Sequence, residues 1–285
     1  MKICTQRFLL MLALLPVCES EGKSGENSMP IPVVGNAVEV TRFHAPEARQ
    51  GVAVDKDHIY VIGNHAIGKY TKNGHEKVAG WACPEGEPLT HLNAGIILDG
   101  LLYTSHSNYP GIGVPILSSI EIFNPDTLIH VGTHSFGRGP GFLSWMDRKD
   151  GSWYAFFAQY GNRAAELDRG PAWSELVRFD EQWRRLEGWA LPEEILDRVG
   201  VYSASGGAFG PGNYLYITGH DAKALYLLQF PESGLHLKVV GLIHIEAEGQ
   251  AFAFDPYDPF LVYTILKRES EVIVQRISLE NQPSD

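Results

Sequence analysis

A chain of 285 residues with 44% hydrophobic and 20% charged side chains has enough apolar material for a full core and none of the bias of a disordered or low-complexity sequence. Its formal net charge of −11 excludes a surface that binds nucleic acid or anionic membrane by displacing counterions. An anionic partner must be met locally, by a few basic groups.

The N-terminus carries Lys2 and Arg7, then an apolar run from Phe8 to Val17, then small and polar residues, the layout of a secretory signal over residues 1–20. The run is too short to span a bilayer. Cleavage after Ser20 is the first reading, and lipid attachment at Cys18 in LPVC is the second. Cys4 and Cys18 belong to this segment, which leaves Cys83 alone and no intrachain disulfide. No Asn-x-Ser/Thr acceptor occurs. These features predict an exported bacterial protein, periplasmic or secreted, expected to be a monomer. Residues 21–37 are rich in Gly, Ser and Pro and read as a linker and extended arm, ahead of one domain over 38–285.

Val38 to Phe43 reads as a short strand. From Gln50 a four-strand pattern then repeats: GVAVD, HIYVIGN, AIGKYTKNG, HEKVAGW; then AGIILDG, LLYTSHS, SSIEIFNPDT, LIHVGTHSF. An aromatic, Tyr70, Phe123, Phe179 or Phe230, closes the third strand of each copy at a spacing of about fifty residues, near that of propeller blades. The fifth copy supplies only GQAFAFDP, FLVYTIL and EVIVQRIS. The expectation is an all-β, five-bladed β-propeller whose last sheet is completed by the N-terminal strand, with six blades as the alternative. A β-sandwich would explain neither the repeat nor the missing strand. Helix is confined to Pro192 to Val199.

In such a ring the joints before the first strand and after the second share a face. The tight turns, such as Asp99-Gly100, fall on the other face, and the long insertions fall on this one, the mouth of the central channel. The stretch HLNAGIILDGLLYTSHSNYP is a hairpin with His91 and Asn93 before it and His106 and Asn108 after it. Histidine exchanges protons near neutral pH, so His91, His106 and His220 are the candidate acid and base groups. Glu248 is the candidate carboxylate, a base or, with Asn93 and Gln250, an oxygen ligand for calcium or another divalent cation. His65, Gln159 and Asn108 occupy equivalent joints as substrate contacts, and Arg138 and Lys267 supply cations for an anionic small ligand. No tight spacing such as HxxxH or CxxC marks a transition-metal site. Trp145, Trp153, Phe156 and Phe157 are expected in the core.

The segments HLNAGIILDGLLYTSHSNYP, VGTHSFG, LVRFDEQWRRLEGW, GGAFGPGNYLYITGHD and EGQAFAFDP resemble a group of secreted bacterial β-propeller proteins sometimes labelled cycloisomerase. A more distant likeness, in blade number, export and the Gln50-Gly51 start of an inner strand, is to the plant-type glutaminyl cyclases. The resemblance implies an exported propeller and carries over no catalytic residue. The leading expectation is an enzyme of the cycloisomerase, lyase or lactonase type, in which His91 and His106 exchange protons on a small carboxylated or lactone-like substrate gripped by Arg138. The competing expectation is a non-catalytic propeller that binds a glycan or protein.

Overall fold

A computed structural model describes residues 30–161 and 169–280. The expected signal segment, Cys18 and most of the expected linker lie outside the described residues. The first strand, β1 (Val33–His44), begins at Val33 rather than at Val38. Four strands follow in each of the next copies. They are β2 to β5 (Gly51–Val54, His58–Ile62, Ala66–Thr71, Lys77–Ala82) and β6 to β9 (Leu92–Leu98, Leu101–Ser107, Ser118–Phe123, His130–Gly137). Next come β10 to β13 (Phe142–Lys149, Ser152–Ala158, Glu175–Phe179, Arg185–Ala190) and the short helix α1 (Glu193–Val199). The last strands are β14 to β17 (Gly206–Phe209, Leu215–Thr218, Ala224–Gln229, Lys238–His244) and β18 to β20 (Ala253–Phe254, Leu261–Leu266, Glu271–Leu279).

The strands form three antiparallel four-stranded sheets and one eight-stranded sheet in the order β14-β15-β16-β17-β1-β20-β19-β18. The eight-stranded sheet is two four-strand sets. β1 runs antiparallel to β20 from Gly35 to His44 but touches β17 only around Val33 and Gly35. The N-terminal strand thus completes the sheet that the last three strands leave short.

Alternation along each strand sends apolar residues to both faces, and each face packs on a neighbour. Ala53, Tyr60 and Ile62 meet Leu92, Leu102 and Phe123. Further round, Ile120 joins Leu143, Phe157 and Val177, and Trp145, Phe156 and Leu176 pack with Ile217, Tyr226 and Leu228. Tyr216, Leu225 and Ile243 meet Val262 and Ile277. Finally, Tyr263, Ile265 and Val274 meet Val52, Val61 and Tyr70. The last sheet packs on the first, so the sheets close a ring. This is a β-propeller.

The first strands line the axis, where backbones approach closely. A Cβ on Gly207 would run into the Trp145 indole, and one on Gly206 would lie 2.6 Å from the Ala251 Cα. Polar side chains and amides staple these strands in turn. Asn93 donates to the Leu143 carbonyl (3.3 Å), Ser144 to Ala204 O (3.0 Å) and Thr218 to Gln250 O (2.6 Å). The Ala251 amide donates to Gln50 O and the Leu92 amide to Asn64 O. Trp145, Phe156 and Phe157 are fully buried and Trp153 is nearly so.

Candidate functional site

The hairpin β6–β7 sets the geometry at the channel mouth. Asp99 and Gly100 both have positive φ (49° and 76°), as a two-residue turn of the primed type requires. That turn aligns Leu98 with Leu101 and Gly95 with Thr104. Continued regularly, it would place Asn93 opposite His106, on one face. Instead a bulge between Leu92 and Gly95 sets Leu92 opposite His106. Residues directly opposite share a face, and a one-residue shift exchanges the faces. His106 therefore turns with the buried Leu92 toward the neighbouring sheet, while His91 and Asn93 turn to the axis. β10 carries a matching bulge between Leu143 and Trp145, which leaves Ser144 at the mouth.

The mouth holds a cavity of about 230 Å³. The starts of the first strands contribute Gln50, Asn93, Ser144, Ser205 and Gln250, and the joints after the second strands contribute Tyr109, Tyr160, His220 and Lys267. Tyr202, which follows α1, and His91 complete the wall. Five residues expected at the mouth, His91, Asn93, His220, Gln250 and Lys267, thus share one cavity.

Burial, followed by the charges of Lys267, His106 and His65, lowers the His91 pKa to about 4, so the imidazole is neutral at physiological pH. Burial, then Arg49, lowers the Lys267 ammonium from its ordinary value. His220 Nδ1 lies 2.6 Å from an Asp221 carboxylate oxygen, and its ring packs on Tyr202 with centroids 4.2 Å apart. With Nδ1–H donated to Asp221, Nε2 is left as the proton acceptor. The amides are partly committed to structure: Gln50 Nε2 donates to Asn64 Oδ1 (2.5 Å), and Asn93 holds Leu143 O.

The other expected residues stand elsewhere. His106 opens into a different cavity, with Ser119 Oγ 2.9 Å from its Nδ1. Asn108 clamps its own loop, donating to Pro115 O and accepting from the Leu117 amide. Gln159 is buried and donates to Pro140 O. His65 is exposed, its Nδ1 3.3 Å from Leu89 O. Arg138 follows the outer strand β9, at the rim rather than the axis, and is exposed. Glu248 lies 3.7 Å from the exposed Arg268 and outside the cavity. Among the described residues no group of three or more His, Cys, Asp or Glu could hold a metal ion, and no helix is long and apolar enough to cross a membrane.

Sequence reasoning passed over Tyr109, Tyr160 and Tyr202. Tyr109 and Tyr160 pack edge to face at 5.1 Å and form the apolar side of the mouth. Their positions at the joints after β7 and β11, equivalent to that of His220 after β15, were the signal that could have found two of them.

No family model matches the chain, and no curated protein matches it. Among solved structures, a chain of the mitotic checkpoint complex is similar at 9% identity over 94% of this chain and 99% of that one, with a TM-score of 0.49. The WD40 β-propeller domain of Doa1 shares 9% identity over 87% and 94%, with a TM-score of 0.44. A protein of unknown function from Bacteroides caccae shares 13% identity with a TM-score of 0.42, over 68% of this chain and 60% of that one. The likeness is one of fold.

Proposed function

We propose that the mouth cavity receives a small carboxylated or lactone-like molecule and moves a proton on it, in an exported propeller enzyme of the isomerase, lyase or lactonase type. The observation that carries this reading is the meeting of a neutral imidazole, a second imidazole backed by a carboxylate, and a lysine in one enclosed space. Lys267 is the charge partner for the substrate carboxyl or the developing enolate oxygen. His220 is the base, its ring oriented by Asp221 through Nδ1 so that Nε2 is free to accept, whereas the neighbouring lysine disfavours a charge on His91. His220 Nε2 takes the proton from the carbon next to the carbonyl, the C–H electron pair passes to an enolate whose oxygen faces Lys267, and reprotonation at carbon restores the carbonyl. Neutral His91 with Gln50 and Gln250 orients the substrate. His106 has no part in this step, because its ring lies on the far side of β6–β7.

A panel of sugar acids and their lactones, read by thermal shift and then by NMR in D2O, tests the assignment. A ligand that raises the melting temperature should exchange its α-hydrogen for deuterium. Lys267→Met should abolish the shift, and His220→Gln should keep the shift and lose the exchange. Exchange that persists in His220→Gln removes His220 from the mechanism. The binding-only reading draws on Gln50, Asn93 and Ser144, which spend hydrogen bonds on the ring. A thermal shift without exchange in the unaltered protein selects it.

A further inference from the structure

The larger cavity lies on the other side of the β6–β7 hairpin, about 520 Å³ between the end of β5 with the loop after it and the face of β7–β8–β9. The register that turns His106 away from the mouth sets it opposite Ser119, with Glu121 opposite Thr133 and Phe123 opposite His130. All face the first sheet. Glu121 is 1% exposed. Its Oε1 accepts from Ser119 Oγ (2.5 Å), and its Oε2 accepts from Thr133 Oγ1 (2.6 Å) and His130 Nε2 (2.8 Å). The Ser119 proton is thereby committed to Glu121, so His106 Nδ1 donates to Ser119 Oγ.

Two residues before the closing aromatic of the third strand, the repeat places Gly68, Val177 and Leu228 where this sheet places Glu121. A buried carboxylate costs several kcal/mol of desolvation unless it is met by donors. The sheets β10–β13 and β14–β17 pack without one, whereas in the first sheet the Glu47 carboxylate fills the space beside Gly68, held by Tyr70 and Lys77. Trp81, Pro84, Pro88, Leu89 and Leu117 make much of the remaining wall apolar, Asn108, Ser118 and Ser135 add neutral polar groups, and Glu87 adds a second carboxylate. Among the described residues no lysine or arginine lines the cavity. Two carboxylates on the wall, Glu121 with Oε1 bonded to Ser119 and the more open Glu87, favour a donor-rich, positively charged guest.

We propose that this cavity is a second binding site, for a small organic cation: a primary ammonium group set toward Glu121 and Glu87, carried on an apolar body that packs against Trp81 and the prolines. The volume falls within the range of small-molecule pockets. The ring face of Trp81 adds attraction for a cation. The site does not depend on the reading of the mouth, from which the hairpin separates it.

Calorimetric titration with phenethylammonium, its neutral isostere 2-phenylethanol and phenylacetate tests the proposal. The ammonium should bind at least about tenfold more tightly than the alcohol, and phenylacetate should not bind. Glu121→Gln should weaken the ammonium about tenfold or more, Glu87→Gln should weaken it about threefold, and Lys267→Met should leave it unchanged. If Glu121→Gln does not fold, Glu87→Gln together with Trp81→Leu decides, each expected to reduce binding. Equal affinity for ammonium and alcohol, no binding up to about 10 mM, or indifference to the carboxylate substitutions overturns the proposal.

Discussion

The two cavities share a hairpin and differ in nearly every other respect. At the mouth the charge is a lysine whose ordinary pKa is lowered by burial, beside a histidine that the same burial keeps neutral. On the far side it is a carboxylate held by three donors. The mouth is polar because every first strand begins there, and much of that polarity staples the ring. The inter-sheet cavity is polar at a position where β12 and β16 carry Val177 and Leu228. Removing Glu121 orphans three donors, whereas removing Lys267 relieves a charge that burial disfavours, so the two respond differently to removal, and that difference can be measured.

The largest effect is expected at Glu121. Its replacement by alanine leaves Ser119, Thr133 and His130 without their acceptor in a buried setting, and should cost about 3 kcal/mol in urea unfolding. Lys267→Met, by contrast, should leave stability within about 0.5 kcal/mol or raise it, since the fold already penalises the charge. A loss at Lys267 as large as that at Glu121 would erase the distinction between the two sites.

Next in size is the pH response of the mouth. The unfolded chain protonates His91 near pH 6.5, whereas in the fold burial delays this to about 4. Above pH 6.5 neither state carries the proton, and the contribution to stability is complete. As pH falls toward 4 the unfolded chain binds a proton that the fold refuses, and stability drops by on the order of 2 kcal/mol. His75, His106 and His134, all lowered by burial, act in the same direction. His91→Gln should flatten the urea midpoint against pH across this window, and a curve identical to that of the unaltered protein would count against a buried, neutral His91.

Smaller still is the effect of Ser119→Ala, which removes the link between His106 and Glu121 while leaving two donors on the carboxylate; about 1 kcal/mol is expected. The smallest is Glu248→Gln. Its partner Arg268 is 81% exposed at 3.7 Å, and such pairs contribute little. Unfolding midpoints should be unchanged within error, and a drop after chelation that Glu248→Gln abolishes would restore Glu248 as a cation ligand.

The architecture was legible because it repeats. Four short strands closed by Tyr70, Phe123 or Phe179 recur, and a fifth set one strand short points to a donor at the other terminus, the role β1 fills. The sharing of a face by the joints before first strands and after second strands was legible for the same reason, and it brought His91, Asn93, His220, Gln250 and Lys267 together. The sidedness of His106 was not. Two-residue turn arithmetic pairs it with Asn93, and only the bulge at Leu92 to Gly95 reverses the face. Nothing in LNAG announces a bulge. Glu121 was legible only in part: SIEIF reads equally as a strand with a solvent-facing carboxylate, and it is the packing against the first sheet that buries it beside Ser119, two residues earlier on the same face.

The pairing of β1 with β20 has a further consequence. The strand β1 finds its partner only when β20 has been made, so ring closure awaits the last of the described strands. Contacts so distant in sequence form slowly, because the intervening loop must first be drawn together. Until then the outer edge of β20 is an open template for pairing with another chain. A permuted chain that opens between β17 and β18 and links the end of β20 directly to the start of β1 would turn that distant encounter into a local one.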